Sequence, residues 1–333
     1  MTQSSTFLAL KTSSDRRHLV PVPSDVEEAL AGAASRLGPM ARHLVWFSEV
    51  PSTNDVAVRL AEAGEAEGVV VVADAQSRGR GRHGRSWASP AGAGLYASIV
   101  LRPPTRAVPL LTLAAGLAVS DGIRAASGLQ TCLKWPNDVH AVRTVVGADA
   151  EASTAANTAV GVRTRDGART ATGAGAGAVT GRGLGAGRKI AGILAEAGGS
   201  SPVVQHVGQH VAQHVVLGVG INVTPGAYPS DVAARATSLE SELGRGVDRG
   251  LVLAECLAAL WARYSELRDG QGHAVLNAWR ERARPTLGRV VEWGAGLDAR
   301  RGTAQDVDEG GALLVETADG IETIRAGEVR WTL

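Results

Sequence analysis

The sequence predicts an α+β domain at residues 24–284, followed by a small β-barrel at 285–333. Within the first domain, apolar runs of strand length alternate with segments in which apolar residues recur at helical spacing. After Arg284 and Pro285 the pattern changes to short strands separated by glycine turns, which is typical of a small barrel. These strands are predicted at 289–293, 302–307, 312–317 and 321–324.

The first domain opens with a helix. Residues 1–23 are polar and contain proline, and we expect them to be disordered. Ser24 and Glu27 have the spacing of a capping box, which begins a helix to about residue 37. A strand follows at 43–50. Ser52-Thr53-Asn54 then caps a second helix, and Gly64 ends it. The remaining elements are strands at 69–73, 95–101, 131–135, 189–196 and 216–223, and helices at 109–126, 253–267 and 274–282.

Two segments interrupt this pattern. Residues 144–187 contain no aromatic residue and a single leucine, Leu184, so they cannot bury enough apolar area to offset the entropy of ordering. We expect a disordered insertion there. A Gln-His-Val repeat at 205–215 spaces three histidines four residues apart, which on a helix face could bind a metal. The valine in each repeat and the lack of a nearby carboxylate or cysteine favour a tandem expansion in a hairpin loop.

Composition restricts the class of protein. The net charge of +1 provides no overall field that would favour nucleic acid or membranes. Cys132 and Cys256 lie far apart in sequence, which suits a reducing cytosol better than a disulfide scaffold. The longest apolar stretch, 107–119, is too short to cross a bilayer and predicts a buried helix. We therefore expect a cytoplasmic protein without a membrane or nucleic-acid partner.

Residues 76–87 form the most informative segment. Four arginines alternate there with glycines, between two predicted strands. Glycine lets the backbone approach a ligand closely, and the guanidinium fork matches carboxylate and phosphate oxygens. The segment is therefore suited to wrap an anion, although a solvated loop or a nucleic-acid contact can have the same composition.

The arginine-rich segment is one of five motifs that occur in a fixed order. The motifs are Ser52-Thr53-Asn54, residues 76–87, Lys134-Trp135-Pro136-Asn137-Asp138, Lys189-Ile190-Ala191-Gly192-Ile193-Leu194 and Gly218-Val219-Gly220-Ile221-Asn222-Val223. In this combination the chain closely resembles the biotin protein ligases from about residue 43 to its C-terminus. The resemblance implies the class II synthetase-like (biotin–lipoate ligase) fold, a mixed, mainly antiparallel sheet flanked by helices, with an SH3-like C-terminal barrel.

The resemblance also implies a two-step reaction with biotin and ATP as substrates, supported by Mg²⁺. Biotin attacks the α-phosphate to give biotinyl-5′-AMP, and a lysine of a biotin carboxyl carrier protein then takes the biotinyl group. The first step brings two anions together, so fixed cations and backbone N–H groups must stabilise the developing charge. No nucleophile of the enzyme is required, because both nucleophiles belong to substrates.

Residue roles follow from the matching motifs. Lys189 is expected to contact the biotin carboxylate and the α-phosphate; the alternative is a solvated lysine at a strand edge. Arg82 is expected to retain the adenylate, which would otherwise hydrolyse or acylate stray amines. The implied biotin site comprises Ser52, Thr53, Asn54, Gln76, Arg80, Gly81, Arg82, Lys189 and Gly192. The implied ATP and adenylate site comprises Arg82, Trp87, Asn137, Lys189 and Asn222.

Several assignments keep alternatives. Ser52-Thr53-Asn54 could serve only as a helix cap, and Trp87 could be ordinary core. Asp138 could hold Mg²⁺ or order the turn after Pro136, so no metal ligand is assigned. His83 stands where the family often has a second arginine, and it could assist pyrophosphate only when protonated, near or below a pKa of about 6.5.

Two other functions compete with biotin ligation. Lipoate and octanoate ligases share the fold, although the arginine-rich segment and the terminal barrel favour biotin. A biotin-responsive repressor would need a winged helix, and only one clear helix precedes residue 43. The sequence leaves open whether the protein forms a homodimer.

Overall fold

A computed structural model describes residues 17–146, 182–198 and 214–332, apart from 227, 229, 295–298, 326 and 328. Eight of the described strands form one sheet in the order β1-β2-β3-β4-β8-β7-β6-β5. Only β2 and β3 pair in parallel, and the other neighbours are antiparallel. The predicted mixed, mainly antiparallel sheet is confirmed. Its strands are β1 (Leu19–Val20), β2 (Leu44–Phe47), β3 (Val70–Ala73), β4 (Gly94–Leu101), β5 (Thr131–Lys134), β6 (Asp138–Val146), β7 (Arg182–Gly198) and β8 (His214–Asn222).

Helices cover both faces of this sheet. The described helices are α1 (Ser24–Ala33), α2 (Thr53–Glu62), α3 (Leu111–Ser127), α4 (Ser230–Ala233), α5 (Leu239–Leu243), α6 (Arg249–Arg268) and α7 (Gly272–Ala283), with short 3₁₀ turns at Ala34–Arg36, Gly38–Ala41, Arg82–Gly84 and Thr105–Leu110. Helix α2 packs on one face, where Leu60 joins a core with Val71. Helices α3 and α6 pack on the other face, in a core that includes Val70 and Val72. Alternate residues of β3 thus enter different cores, as the two-residue period of a strand requires.

The most apolar helical segment belongs to this core. Thr105–Ser127 is long and apolar enough to cross a membrane by length and composition, but 72% of its most apolar window is buried within the protein. Leu113 and Leu117 in α3 join the core shared with Leu257 of α6. The buried helix predicted at 109–126 is confirmed.

The N-terminal prediction is partly wrong. Residues 1–16 lie outside the described part, but Leu19 and Val20 form β1, paired with Phe47 and Trp46. The edge of β2 supplies backbone partners that composition cannot reveal. The capping box is also wrong, because Pro23 is the N-cap of α1 and no side chain caps the helix. Ser24 lies already in the first turn, where the backbone N–H of Glu27 donates to the carbonyl of Pro23 at 2.9 Å.

The predicted insertion is shorter than residues 144–187. Strands β6 and β7 continue into it from both sides and pair as far as Val146 and Arg182. Cross-strand pairing therefore orders the ends of a segment whose composition favours disorder. Residues 147–181 lie outside the described part, as do residues 199–213 with most of the Gln-His-Val repeat. Of that repeat, His214 and Val215 begin β8.

The C-terminal domain is a five-stranded antiparallel sheet in the order β12-β11-β10-β9-β13. Its strands are β9 (Val290–Trp293), β10 (Arg300–Val307), β11 (Leu313–Thr317), β12 (Gly320–Ile324) and β13 (Val329–Trp331), of which the last was not predicted. The indole N–H of Trp135 donates a hydrogen bond to the carbonyl of Gly311 at 2.8 Å. The hydroxyl of Thr286 donates to the carbonyl of Leu133, also at 2.8 Å. These bonds place a loop of the barrel beside the turn that follows β5.

Candidate active site

Three glycines form a trough on the face of the sheet that carries α2. Gly192 in β7 pairs with Gly220 in β8, and Gly218 lies two residues along the same strand. A Cβ atom at Gly218 would lie 2.2 Å from Oδ1 of Asn54. One at Gly220 would lie 2.6 Å from the ring of Trp87, and one at Gly192 would lie 2.9 Å from it. The glycines are therefore required because Asn54 and Trp87 lie directly on the backbone.

A polar wall closes one side of the trough. Gln76 Oε1 accepts from the backbone N–H of Thr53 at 2.8 Å and lies 3.1 Å from its hydroxyl. The hydroxyl of Ser98 lies 2.6 Å from Oδ1 of Asn54 and 2.8 Å from the Thr53 hydroxyl. Thr53 and Asn54 are buried, as is Ser52. Buried polar groups in such a network have fixed orientations, which suits recognition of a neutral polar ligand.

This wall corrects the predicted helix cap. Ser52 is the N-cap residue of α2, but its side chain makes no capping hydrogen bond. The side chain of Gln76 supplies the acceptor for the first turn instead, 23 positions along the chain from Thr53. The segment therefore does not cap the helix through the Ser52 side chain, and its Thr53 and Asn54 side chains take part in the wall.

The arginine-rich segment is a hairpin rather than an open loop. The backbone N–H of Trp87 donates to Gly79 at 2.9 Å, and that of Gly81 donates to Arg85 at 2.7 Å. Its tip has positive φ at two successive residues, His83 (55°) and Gly84 (71°), as in a type I′ hairpin turn. Histidine is among the residues that tolerate this conformation. Residues 79–87 are called the arginine hairpin below, and His83 lies exposed at its tip.

The arginines of the hairpin have different partners. Arg80 forms ion pairs with Asp55 of α2 and, at 2.6 Å, with Glu196 of β7. Arg82 lines a cleft of about 310 Å³ between the two domains. Burial lowers the pKa of Arg82, and the negative charge of Asp138 partly offsets this effect. The structure therefore brings Arg82 toward the Lys189 end of the trough, while the guanidinium of Arg80 is held by two carboxylates.

Lys189 lies at one end of the trough. Its Nζ atom is 2.5 Å from Oδ1 of Asp138 and 5.0 Å from the centre of the Trp87 ring. Burial raises the pKa of Asp138, but the charge of Lys189 and the contact with His140 outweigh this and keep it well below its usual range. The lysine is therefore paired with a carboxylate, unlike the solvated strand-edge lysine of the alternative interpretation.

The backbone around Lys189 explains its position. The pairing of β6 with β7 shifts register at His140, which lies opposite Lys189. The N–H of Lys189 donates to Arg235 at 2.8 Å, and its carbonyl accepts from Thr237 at 2.9 Å. This irregularity is a β-bulge, which commonly re-aims a side chain beside an active site.

The two predicted nucleotide asparagines hold the backbone in this structure. The Asn137 amide donates to the carbonyl of Ile193 at 2.7 Å and fixes the turn between β5 and β6 against β7. The Asn222 amide donates to the carbonyl of Thr237 at 2.9 Å. Each amide leaves its oxygen as a potential acceptor for a ligand.

Sequence reasoning assigned no role to three residues of the site: Lys134, His140 and Glu196. Burial lowers the pKa of Lys134, and the nearby Lys189 and Arg235 lower it further, while Asp138 opposes them. His140 is buried with Nδ1 2.8 Å from the carbonyl of Gly187 and Nε2 3.9 Å from Asp138. The third, Glu196, lies 142 positions from its partner Asn54. The motif that begins at Lys134 was recognised as a whole, but no feature of the neighbouring sequence marks His140 or Glu196 as a site residue.

The cleft of about 310 Å³ opens beside the trough. It is lined by Arg82, Pro109, Thr112, Leu113, Trp135, Pro136, Ile193, Leu194, Ala195, Asp308, Gly310, Gly311, Ala312 and Arg325. Both domains contribute to it, so the barrel completes one wall of the site region. Among the described residues, no group of three or more histidine, cysteine, aspartate or glutamate side chains could hold a metal ion by itself.

Comparison with known proteins gives a consistent result. The sequence profile of the biotin/lipoate A/B protein ligase family matches residues 46–222, and that of the biotin protein ligase C-terminal domain matches 286–330. A biotin–[acetyl-CoA-carboxylase] ligase of Mycobacterium tuberculosis is 33% identical over 95% of this chain and 98% of its own length. A bifunctional ligase/repressor of Bacillus subtilis is 30% identical over 93% of this chain and 81% of its own length.

Solved structures agree with this assignment. The biotin protein ligase of Aquifex aeolicus in complex with biotin and ATP has a TM-score of 0.60 and 25% identity, covering 87% of this chain and 99% of that protein. The predicted fold class and family are both confirmed by these matches. With the profiles of both domains present in order, the chain belongs to the biotin/lipoate protein ligase family, as a biotin protein ligase.

Proposed function

We propose that the protein activates biotin with ATP as biotinyl-5′-AMP and transfers it to one lysine of a biotin carboxyl carrier protein, such as that of acetyl-CoA carboxylase. The main support is the arrangement of the glycine trough, which ends at the Lys189–Asp138 pair beside the arginine hairpin. A neutral polar wall and a cationic end suit a ligand with an uncharged polar ring at one end and a carboxylate at the other.

In this proposal biotin lies along the trough. Its ureido ring bonds the wall formed by Thr53, Asn54 and Gln76, whose side chains are already oriented by hydrogen bonds within the wall. The ring system lies along the surface that Asn54 and Trp87 form where they cover Gly218 and Gly220. Its carboxylate then reaches the ammonium group of Lys189. Trp87 packs against the ring and helps to exclude water.

Adenylate formation needs charge stabilisation rather than a nucleophile of the enzyme. A carboxylate oxygen of biotin forms a bond to the α-phosphorus, and pyrophosphate leaves with the electron pair of the broken P–O bond. Lys189 and Arg82 supply fixed positive charge at this point, and Lys134 adds a third cation nearby. Such preorganised charges are usually the largest contribution to catalysis.

Asp138 is the residue that fits Mg²⁺. Nucleotide sites commonly hold Mg²⁺ through one or two carboxylates together with phosphate oxygens, rather than through a complete cage of protein ligands. Asp138 is ionised and lies among the cations that would contact the phosphates. Bound there, Mg²⁺ would neutralise part of the triphosphate charge.

In the second step the neutral amine of the carrier lysine attacks the carbonyl carbon of the mixed anhydride, the bond between this carbon and the phosphate oxygen breaks, AMP leaves, and the new amide nitrogen loses a proton to solvent. We assign the interdomain cleft as the approach for this lysine, because it opens beside Arg82. Arg82 would hold the phosphate of the adenylate until the lysine arrives. This sequestration matters since an acyl-adenylate acylates any accessible amine.

Transfer to a carrier domain tests the proposal. The protein, biotin, ATP and Mg²⁺ are incubated with an apo biotinyl carrier domain, and the products are analysed by intact mass and peptide mapping. One biotinyl group on one lysine is expected. Modification only when lipoate or octanoate replaces biotin would keep the fold and overturn the substrate.

A further inference from the structure

We propose that Glu196 is a positioning residue that joins the arginine hairpin to the biotin wall, and so holds the adenylate-retaining arm in place. This inference rests on the proposed function. It comes from one carboxylate with two partners: Oε1 lies 2.6 Å from Arg80, and Oε2 lies 2.7 Å from the amide nitrogen of Asn54. Glu196 thus connects β7, the hairpin and the trough.

The Asn54 end of this connection is fixed. Asn54 is 4% exposed, and its oxygen already lies 2.6 Å from the hydroxyl of Ser98. The space beneath it is closed, since even a Cβ atom at Gly218 would lie 2.2 Å from this oxygen. The amide nitrogen must therefore point away from Ser98, and the carboxylate of Glu196 is the acceptor it meets. A loss of this acceptor would leave a buried donor without its partner, which costs free energy.

The Arg80 end fixes the base of the hairpin. Arg80 pairs with Ser86 across the hairpin, one position from the hydrogen bond between Trp87 and Gly79. Arg82 and Trp87 therefore extend from a backbone whose position is set by the side chain of Arg80. Holding that side chain on β7 places Arg82 at the cleft before any ligand binds.

Asp55 has a different part in this arrangement. It also forms an ion pair with Arg80, but this pair links the hairpin only to the surface of α2. The side chain of Asp55 is 37% exposed. Exposed ion pairs contribute little because solvent screens them. Only Glu196 connects Arg80 to a buried group of the wall, so the two carboxylates should differ when each is neutralised.

The test compares Glu196→Gln with Asp55→Asn and with Glu62→Gln, an exposed control at the end of α2. Glutamine keeps the length of Glu196 but replaces one acceptor by a donor, so it cannot serve both partners. The measurements are the biotin and ATP KM values and the rate at which bound biotinyl-5′-AMP dissociates in a chase experiment. For Glu196→Gln we expect a roughly ten-fold faster release and a raised biotin KM, the size expected for one charge-assisted bond. Asp55→Asn should change less, and Glu62→Gln should not change.

Arg80→Ala provides a second route that spares the core, because Arg80 lies on the exposed hairpin. It should also speed release of the adenylate, and the effects of Arg80→Ala and Glu196→Gln should be less than additive in the double variant, since both remove the contact between Arg80 and Glu196. Additive effects, or wild-type release rates in both single variants, would overturn the inference. A wild-type protein inactive with biotin would instead refute the proposed function.

Discussion

The Nζ atom of Lys189 lies 2.5 Å from Oδ1 of Asp138, at the end of the glycine trough. Asp138 begins β6, and Lys189 lies on the bulged part of β7. The pair holds the ammonium group of the lysine at this end of the trough without substrate. A carboxylate or phosphate arriving at this end meets a cation that needs no reorganisation, which is the condition for effective electrostatic catalysis.

Replacement of this lysine tests its role directly. Lys189→Ala should lower the rate of biotin-dependent pyrophosphate release by about 10²–10³-fold, the usual cost of removing one transition-state donor. The neighbouring Arg188→Ala is the control, because Arg188 is exposed and makes a 3.5 Å surface pair with Glu242. Pyrophosphate release near the wild-type rate in Lys189→Ala would refute the assignment.

Arg82 should act mainly after adenylate formation. In Arg82→Gly we expect biotinyl-5′-AMP to form but escape, so that lysines of an unrelated protein such as serum albumin become biotinylated. Arg78→Gly is the matched control, since Arg78 is exposed and precedes the hairpin. Blotting for biotin measures the effect. Selectivity equal to wild type in Arg82→Gly would count against the retention role.

The glycine trough predicts a selective effect on biotin. Gly218→Ala would place a methyl group on Asn54, so the biotin KM should rise at least ten-fold while the ATP KM changes little. Gly32→Ala in α1 is the control, because no atom lies within 4 Å of its Cβ position. That variant should keep its activity and gain about 0.5–1 kcal/mol of stability. Equal KM changes for biotin and ATP would contradict this use of the trough.

The two cysteines should be unreactive in the folded protein. Burial raises the pKa of the Cys132 thiol to about 12, and that of Cys256 likewise to about 12. The thiolate is the reactive form, so at pH 8 neither should react with a disulfide reagent until the protein unfolds. Because the folded pKa values are raised, stability should fall as pH rises above the unfolded value of about 8.5 toward 12. Rapid labelling of native protein at pH 8 would contradict the burial of both thiols.

The long segment between β6 and β7 should be dispensable for catalysis. The paired ends Val146 and Arg182 are neighbours across the two strands, so a short turn can join them. A variant in which a Gly-Asn-Gly turn replaces residues 147–181 should keep wild-type kcat and KM for biotin. A large loss of adenylation would assign the segment a part in the site.

Local hydrophobic period predicted most of the strands, the buried helix α3 and the terminal barrel, whereas the mixed, mainly antiparallel sheet and the roles of the motifs were implied by the resemblance to biotin protein ligases. The sequence could not reveal that the side chain of Gln76 caps α2, since Gln76 and Thr53 meet only in the folded chain. The same holds for Glu196 and Asn54, 142 residues apart. The ends of the insertion were missed for a related reason: pairing of β6 with β7 orders residues whose composition favours disorder.

The most direct measurement is ATP–pyrophosphate exchange by the full-length protein with Mg²⁺, with biotin, lipoate and octanoate compared as substrates. Exchange with biotin alone is expected, because the wall of Thr53, Asn54 and Gln76 suits a neutral polar ring and the trough ends at Lys189. Exchange with lipoate or octanoate but not with biotin, or no exchange with any of the three, would contradict the proposed adenylation of biotin.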